Sequence, residues 1–243
     1  MKMLNFAKRN FKELTRDPLS LAFEIILPIF LLIIFQQFNI PSDNYKLENF
    51  TPGIIIFGFS FITLFTSTLI AKDRTSSFLI RLGTSPMKSS DYILGYILSL
   101  IPIIIIQDIL FFIVAMILGL SFSVNIIFTV IVSMIISIFF IALGILIGSL
   151  VSEKGTGGLG SIIVQLVCFT SGMYFPKESV GNVFAKICEL LPFESSLNII
   201  KGVLNNDFTI ITIQNIIIFI TYTIITLVIS ILVFKRNMIS DNK

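Results

Sequence analysis

Apolar runs of about 20 residues recur along this chain, each long enough to cross a bilayer core about 30 Å thick. A soluble domain has no place to hide several such runs. Alternating short strands are absent, so the spans are expected to be helices rather than barrel strands. Composition agrees. Of 243 residues, 55% are hydrophobic and only 13% charged, where soluble domains carry roughly a quarter charged residues, and mean hydropathy is +0.99. The fold class expected is an all-α integral membrane protein.

What is missing narrows the chemistry. The chain has no histidine, which removes His-based triads, metal clusters and proton relays. Cys168 falls in an apolar span and Cys188 in a polar segment, with no CxxC pair, so neither a disulfide nor a metal site is implied. The phosphate-binding pattern GxxxxGK[ST] occurs nowhere, so this chain is not expected to bind ATP in that way. No metal, cofactor, catalytic group or nucleic-acid partner is expected on it. The N-terminus is a charged amphipathic stretch, so no cleavable signal peptide is expected.

Residues 1–17 place Leu4, Ala7, Phe11 and Leu14 on one stripe, with Lys2, Lys8, Arg9, Lys12 and Arg16 largely elsewhere. This predicts an interfacial helix drawn to anionic lipid, either as a plain anchor or as a mechanical elbow. The rest, 18–243, reads as one six-span domain. Pro18 suits the first turn of a helix, and the first span is predicted over 19–38. Glu24 within it should face protein or water, lining a pathway or pairing with a basic residue, and Pro28 should kink it.

The second span is predicted over 52–71, followed by a charged loop over 72–91. The third, 92–118, is interrupted by Pro102, Gln107 and Asp108. An Asp there marks a polar lateral cavity, or a helix that ends and re-enters. The fourth span, 125–150, carries Gly144 and Gly148 at a spacing that lets helices approach closely. SEKGTGGLG at 152–160 is expected to be a flexible turn before a short fifth span over 161–175. Residues 176–207 show helical periodicity around Pro192, which predicts two short re-entrant helices; the last span is 210–234.

With the N-terminus inside, Lys and Arg favour the cytoplasmic side by roughly three to one, as the positive-inside rule requires. Both termini are then cytoplasmic, in a multi-pass plasma-membrane protein. The abundant Ile, Asn and Lys suit an AT-rich bacterial genome.

Three local patterns now coincide in order. Arg16, Asp17 and Pro18 with Pro28 make an elbow-to-span junction. The charged loop offers Asp73, Arg74, Leu79, Arg81, Leu82, Ser85 and Pro86. Ser171, Gly172 and Pro176 are followed by a Leu-Pro pair at Pro192 and a basic residue at Lys201. On these residues the chain resembles the membrane subunit of ATP-binding cassette exporters of the type-2 permease family. Thr75, Ser77 and Phe78 stand off that family's loop pattern, and Tyr96 stands where a Lys often follows Gly95.

The resemblance implies a cytoplasmic coupling helix, a partner ABC ATPase that carries ATP and Mg, and a second permease copy or paralogue. If 73–82 is helical, Phe78 and Leu82 share a face, with Arg74 and Arg81 offering charge around it. Asp73, Arg74, Phe78, Leu79, Arg81, Leu82 and Pro86 are then the coupling candidates. Glu24, Asp108, Ser171, Gly172, Pro176, Pro192 and Lys201 are the pathway or gate candidates. The substrate expected is hydrophobic or amphipathic: a drug, antibiotic, peptide or lipid-linked glycan. Two other classes remain open: an ion-coupled transporter or channel using Glu24, Asp108 or Glu194, and a membrane scaffold or sensor.

Overall fold

The computed structural model describes residues 2–38, 40–76, 89–174 and 181–240. Of the residues singled out above, Phe78, Leu79, Arg81, Leu82, Ser85, Pro86 and Pro176 lie outside these.

Among the described residues, nine elements follow one another besides a short 3-10 turn at Asp43–Tyr45. They are α1 (Lys2–Thr15), α2 (Pro18–Gln37), α3 (Leu47–Thr75), α4 (Ser89–Ile117), α5 (Asn125–Leu150), α6 (Glu153–Thr170), α7 (Asn182–Leu190), α8 (Pro192–Leu204) and α9 (Ile213–Ser240). Five of them, α2, α3, α4, α5 and α9, are long and apolar enough to cross a membrane. The polar, glycine-rich first half of α6 keeps it out of that set.

The axis of the bundle is α3, which packs against α2, α4, α5, α6 and α8. Its composition explains the position. Gly53, Gly58, Ser60, Thr63, Thr66 and Ser67 keep its surface thin, and all are buried. Parallel to it runs α5, and here Gly144 and Gly148 do what their spacing suggested. A Cβ on Gly144 would lie 2.7 Å from the Thr63 carbonyl oxygen, and one on Gly148 would strike the Ser67 carbonyl. Polar bonds reinforce the crossing: Thr63 Oγ1 donates to the Phe140 carbonyl (2.9 Å) and, from α9, Ser230 Oγ donates to the Ala142 carbonyl (2.8 Å). Such bonds between helices are worth about 0.6–2 kcal/mol each in a membrane.

Several expected boundaries are corrected. The second span is longer than 52–71: its helix starts at Leu47 and continues through Thr75, so Asp73 and Arg74 belong to its last turn and not to a loop. Nothing interrupts the third span, since α4 is continuous through Pro102, Gln107 and Asp108. The 152–160 stretch is not a flexible turn but the opening of α6. Glycines there cost about 1 kcal/mol each relative to Ala, but Gly160 lets Leu64 of α3 sit where a side chain would be. The last helix starts at Ile213 and extends through Lys235 and Arg236.

Pro28 leaves its mark differently from a simple kink. Lacking an N–H, it cannot bond the Glu24 carbonyl, and residues Ala22–Ile26 relax into a π-turn in which Leu27 N–H reaches the Ala22 carbonyl. Insertions of this kind accommodate a missing hydrogen bond and often mark functional positions.

The two ends of the bundle are chemically distinct. At one end lie α1, Lys72, Arg74, Ser149 and Asn237, joined by the Arg74 to Ser149 and Asn237 to Ser149 contacts. At the other, Tyr45 Oη donates to the Tyr174 carbonyl (2.7 Å) and Asn125 Nδ2 to the Leu204 carbonyl (3.3 Å). Alongside α3, α6 runs antiparallel over nearly its whole length: Glu153 meets Thr75, Thr156 meets Thr68, and Met173 fills the space over Gly53. From Phe193, whose ring lies 6.0 Å from that of Phe139, α8 climbs to the Asn125 end. Twelve residues separate Pro192 from Leu204; at 1.5 Å per residue, α8 therefore starts about 18 Å from that end.

Candidate functional site

The richest polar architecture lies at the base of the 77–88 segment, in the last turn of α3. It is built outward from Asp73, which is fully buried.

The amphipathic α1 packs on α4 and buries Phe6, Ala7, Asn10 and Leu14, whereas Leu4 is exposed. The buried stripe is thus rotated from the expected one. Phe6 wins the contact because Gly95 leaves room for its ring, 2.5 Å from where a Cβ would be, and because it meets Tyr92 and Tyr96 edge-on at 5.4 and 5.0 Å. That docking points Arg9 at α3. Its Nη1 donates to Asp73 Oδ1 (2.7 Å) and Oδ2 (2.9 Å), while Tyr96 Oη donates to Oδ2 (2.8 Å). Arg9 Nη2 also pairs with Glu13 (2.6 Å), and the other oxygen of Glu13 pairs with Lys72 Nζ (2.9 Å). Three helices are therefore fastened by one carboxylate. A buried carboxylate is tolerated only when paired and hydrogen-bonded in this way.

The next residue ties the same turn to the opposite side of the bundle. Arg74 Nη1 donates to the carbonyls of Gly148 (3.0 Å) and Ser149 (2.7 Å) at the C-terminus of α5. A cation there satisfies carbonyls that have no helical partner and complements the helix dipole. Thr75 Oγ1 then donates to Glu153 at the start of α6 (3.0 Å). Displacement of this turn must pull on α1 and α4 through Asp73 and on α5 and α6 through Arg74 and Thr75. Asp73 itself, expected as one of the coupling residues, lies inside the bundle with no exposed surface.

The junction between α1 and α2 is equally well defined. Asp17 caps α2, accepting from Ser20 N–H (3.2 Å) and Ser20 Oγ (2.6 Å), with Pro18 at the first helical position. The Ser20 hydroxyl is the main influence holding the Asp17 carboxyl below its usual range.

The pathway and gate candidates do not converge on one place. Glu24 is buried in the π-turn of α2, with Oε1 unpartnered and no ion pair to a basic residue among the described residues. Asp108 is fully buried between helices, accepting from Ser133 Oγ of α5, with Oδ1 unpartnered. Beside it, Gln107 occupies the space left by Gly58, with both side-chain polar atoms unpartnered. Glu194 is half-buried in the first turn of α8.

At the end opposite Asp73, Ser171 is buried as the C-cap of α6 and Gly172 takes a positive φ of 78° that suits glycine. Pro192 is buried at the start of α8, and Lys201 is half-buried in its last turn. Closing this end is an aromatic cluster of Phe35, Tyr45, Phe50 and Tyr174, with Phe35 to Phe50 at 5.2 Å. Cys168 and Cys188 are both buried and are not joined in a disulfide.

A family model described as ABC-2 type transporter matches residues 3–205. That match runs from the first turn of α1 through the end of α8. A comparison with curated proteins finds no match.

Proposed function

The chain belongs to the ABC-2 type transporter family, and on that premise we propose that it is the permease subunit of an exporter driven by a separate cytoplasmic ABC ATPase. The family is one of transport subunits without a nucleotide-binding motif of their own, and the missing phosphate loop fits it. ATP and Mg act on the partner. The end carrying Asp73 faces the cytoplasm, α6 makes a sixth crossing, and both termini are inside.

The observation that carries this proposal is the double fastening of the last turn of α3. The segment that follows it, with Phe78, Leu79, Arg81, Leu82 and Pro86, docks on the ATPase. Apolar side chains fill a groove there and charged ones set the register. Asp73 and Arg74 do not touch the partner. They pass its movement to α1 and α4 and to α5 and α6.

Two permeases, identical or paralogous, enclose the pathway between them. At the outer end, the segment from Ser171 and Gly172 through Pro176 and Pro192 to Lys201 forms the closure, since α8 penetrates the bundle beside Phe139. The cargo is hydrophobic or amphipathic.

A second reading draws on the unpartnered oxygens of Glu24 and Asp108, which suit an ion-coupled carrier. Transport in proteoliposomes separates the two. The exporter requires ATP and a hydrolysis-competent ATPase; transport that persists without ATP hydrolysis and follows an ion gradient overturns it.

A further inference from the structure

A second feature of the charged end is absorbed by neither the coupling turn nor the outer closure. Between α1, the start of α2 and the end of α3 lies an open groove of about 810 Å³. Its walls carry five basic side chains against two acidic ones. The two acids are already engaged, Glu13 by Arg9 and Lys72, and Asp17 by Ser20. Three of the cations have no such partner. Lys8, Lys12 and Arg16 are exposed, follow one another at four-residue steps, and make no ion pair among the described residues.

A row of uncompensated cations four residues apart lines one face of α1 and its end. In a concave setting this row focuses a field that favours an anion. Exposed apolar side chains stand near its lining in sequence: Leu4 lies one turn before Lys8, and Leu19 and Phe23 lie on the first two turns of α2, with 60%, 67% and 45% of their surfaces exposed. A ligand that matches both is one with a phosphate at the interface and hydrocarbon beside it.

We infer that this groove is a discrete binding site for a phosphate group, furnished by an anionic phospholipid of the adjoining leaflet. The phosphate sits against Lys8, Lys12 and Arg16, and the acyl chains lie along Leu19 and Phe23. The site differs from the diffuse attraction of any basic interfacial helix in being saturable. Because Arg9, which holds Asp73, shares its wall, an occupied site steadies α1 in the position that fastens the coupling turn. It stands whether or not the exporter proposal holds.

The test is native mass spectrometry of the full-length protein in detergent, titrated with phosphatidylglycerol and with phosphatidylcholine. The wild type is expected to bind the first phosphatidylglycerol at least about tenfold more tightly than phosphatidylcholine. Lys8→Gln/Lys12→Gln/Arg16→Gln should lose that preference, since these cations supply the attraction to an anionic headgroup. A charge-matched variant, Lys46→Gln/Lys154→Gln/Lys186→Gln, should keep it. These side chains are exposed, so helix content by circular dichroism should be unchanged in both. Competition by millimolar inorganic phosphate would mean that the site also takes free phosphate; its absence would mean that the lipid form alone is held. Either result supports a phosphate site. Undiminished preference in the first variant, or equal loss in the charge-matched one, overturns it.

Discussion

Replacing Asp73 with alanine removes the one group that α1, α3 and α4 share. The cost can be worked from its contacts. Both bonds from Arg9 come from the same Nη1, so they count as one interaction. The Arg9 side chain is 33% exposed and keeps Glu13, so the loss of this partner is discounted for solvent screening to about 1 kcal/mol. Tyr96 is fully buried and would leave its hydroxyl unsatisfied, which costs about 1–3 kcal/mol. A total of about 3 kcal/mol corresponds to a fall in Tm of about 6–12 °C for a chain of this size. Asp73→Asn keeps an acceptor for Tyr96 and should lose about half as much.

Thermal unfolding in detergent, read by circular dichroism, measures both variants. A double-mutant cycle with Arg9→Ala then isolates the pair, and a coupling of about 1 kcal/mol is expected. If Asp73→Ala unfolds within about 1 °C of the wild type, or if the two substitutions add without coupling, Asp73 does not fasten the three helices.

Other consequences follow from the same contacts. Gly144→Val pushes two methyl groups into the Thr63 carbonyl and Thr66; overpacking at this crossing should cost at least about 2 kcal/mol, seen as reduced Tm and expression. Arg74→Ala uncaps the carbonyls of Gly148 and Ser149 and should lower stability by about 1–2 kcal/mol in the same assay, with Arg74→Lys recovering part of it.

Much of the fold was readable because lipid leaves few choices. The fourth span was expected over 125–150 and is a helix over Asn125–Leu150, bounded by polar residues on both sides. The glycine pair in it was readable for the same reason: its spacing places both residues on one face, and that face meets α3. The errors arose where local composition misleads. Glycines in 152–160 suggested a turn, but the stretch is helical, and Gly160 leaves the space that Leu64 of α3 occupies. Pro102, Gln107 and Asp108 suggested a break, yet Ser133 and the space over Gly58 accommodate the polar groups inside an intact helix. A pattern along one strand of sequence cannot show what a neighbouring helix supplies.

The last turn of α3 was only partly legible. Asp73 and Arg74 stood out by their place in the loop, but their partners lie far away in sequence, at Arg9, Tyr96, Gly148 and Ser149. Tyr96 gave a signal in being a tyrosine beside Gly95, where a lysine was expected. A hydroxyl donor can bond Asp73 in a fully buried position, where a lysine would bring a second charge. The aromatic cluster at the other end gave none, since phenylalanine is common throughout this chain.

The proposed coupling is tested most directly by how much ATPase the purified permease retains. Wild-type protein and Phe78→Ala/Leu82→Glu should be isolated in mild detergent from cells that also express the partner, and unfolding should be recorded for each. The expected result is equimolar ATPase on the wild type and little on the double variant, with Tm unchanged because the substitutions leave Asp73 and Arg74 in place. Equal retention by both proteins, or no ATPase on the wild type, would contradict a docking segment anchored on the last turn of α3.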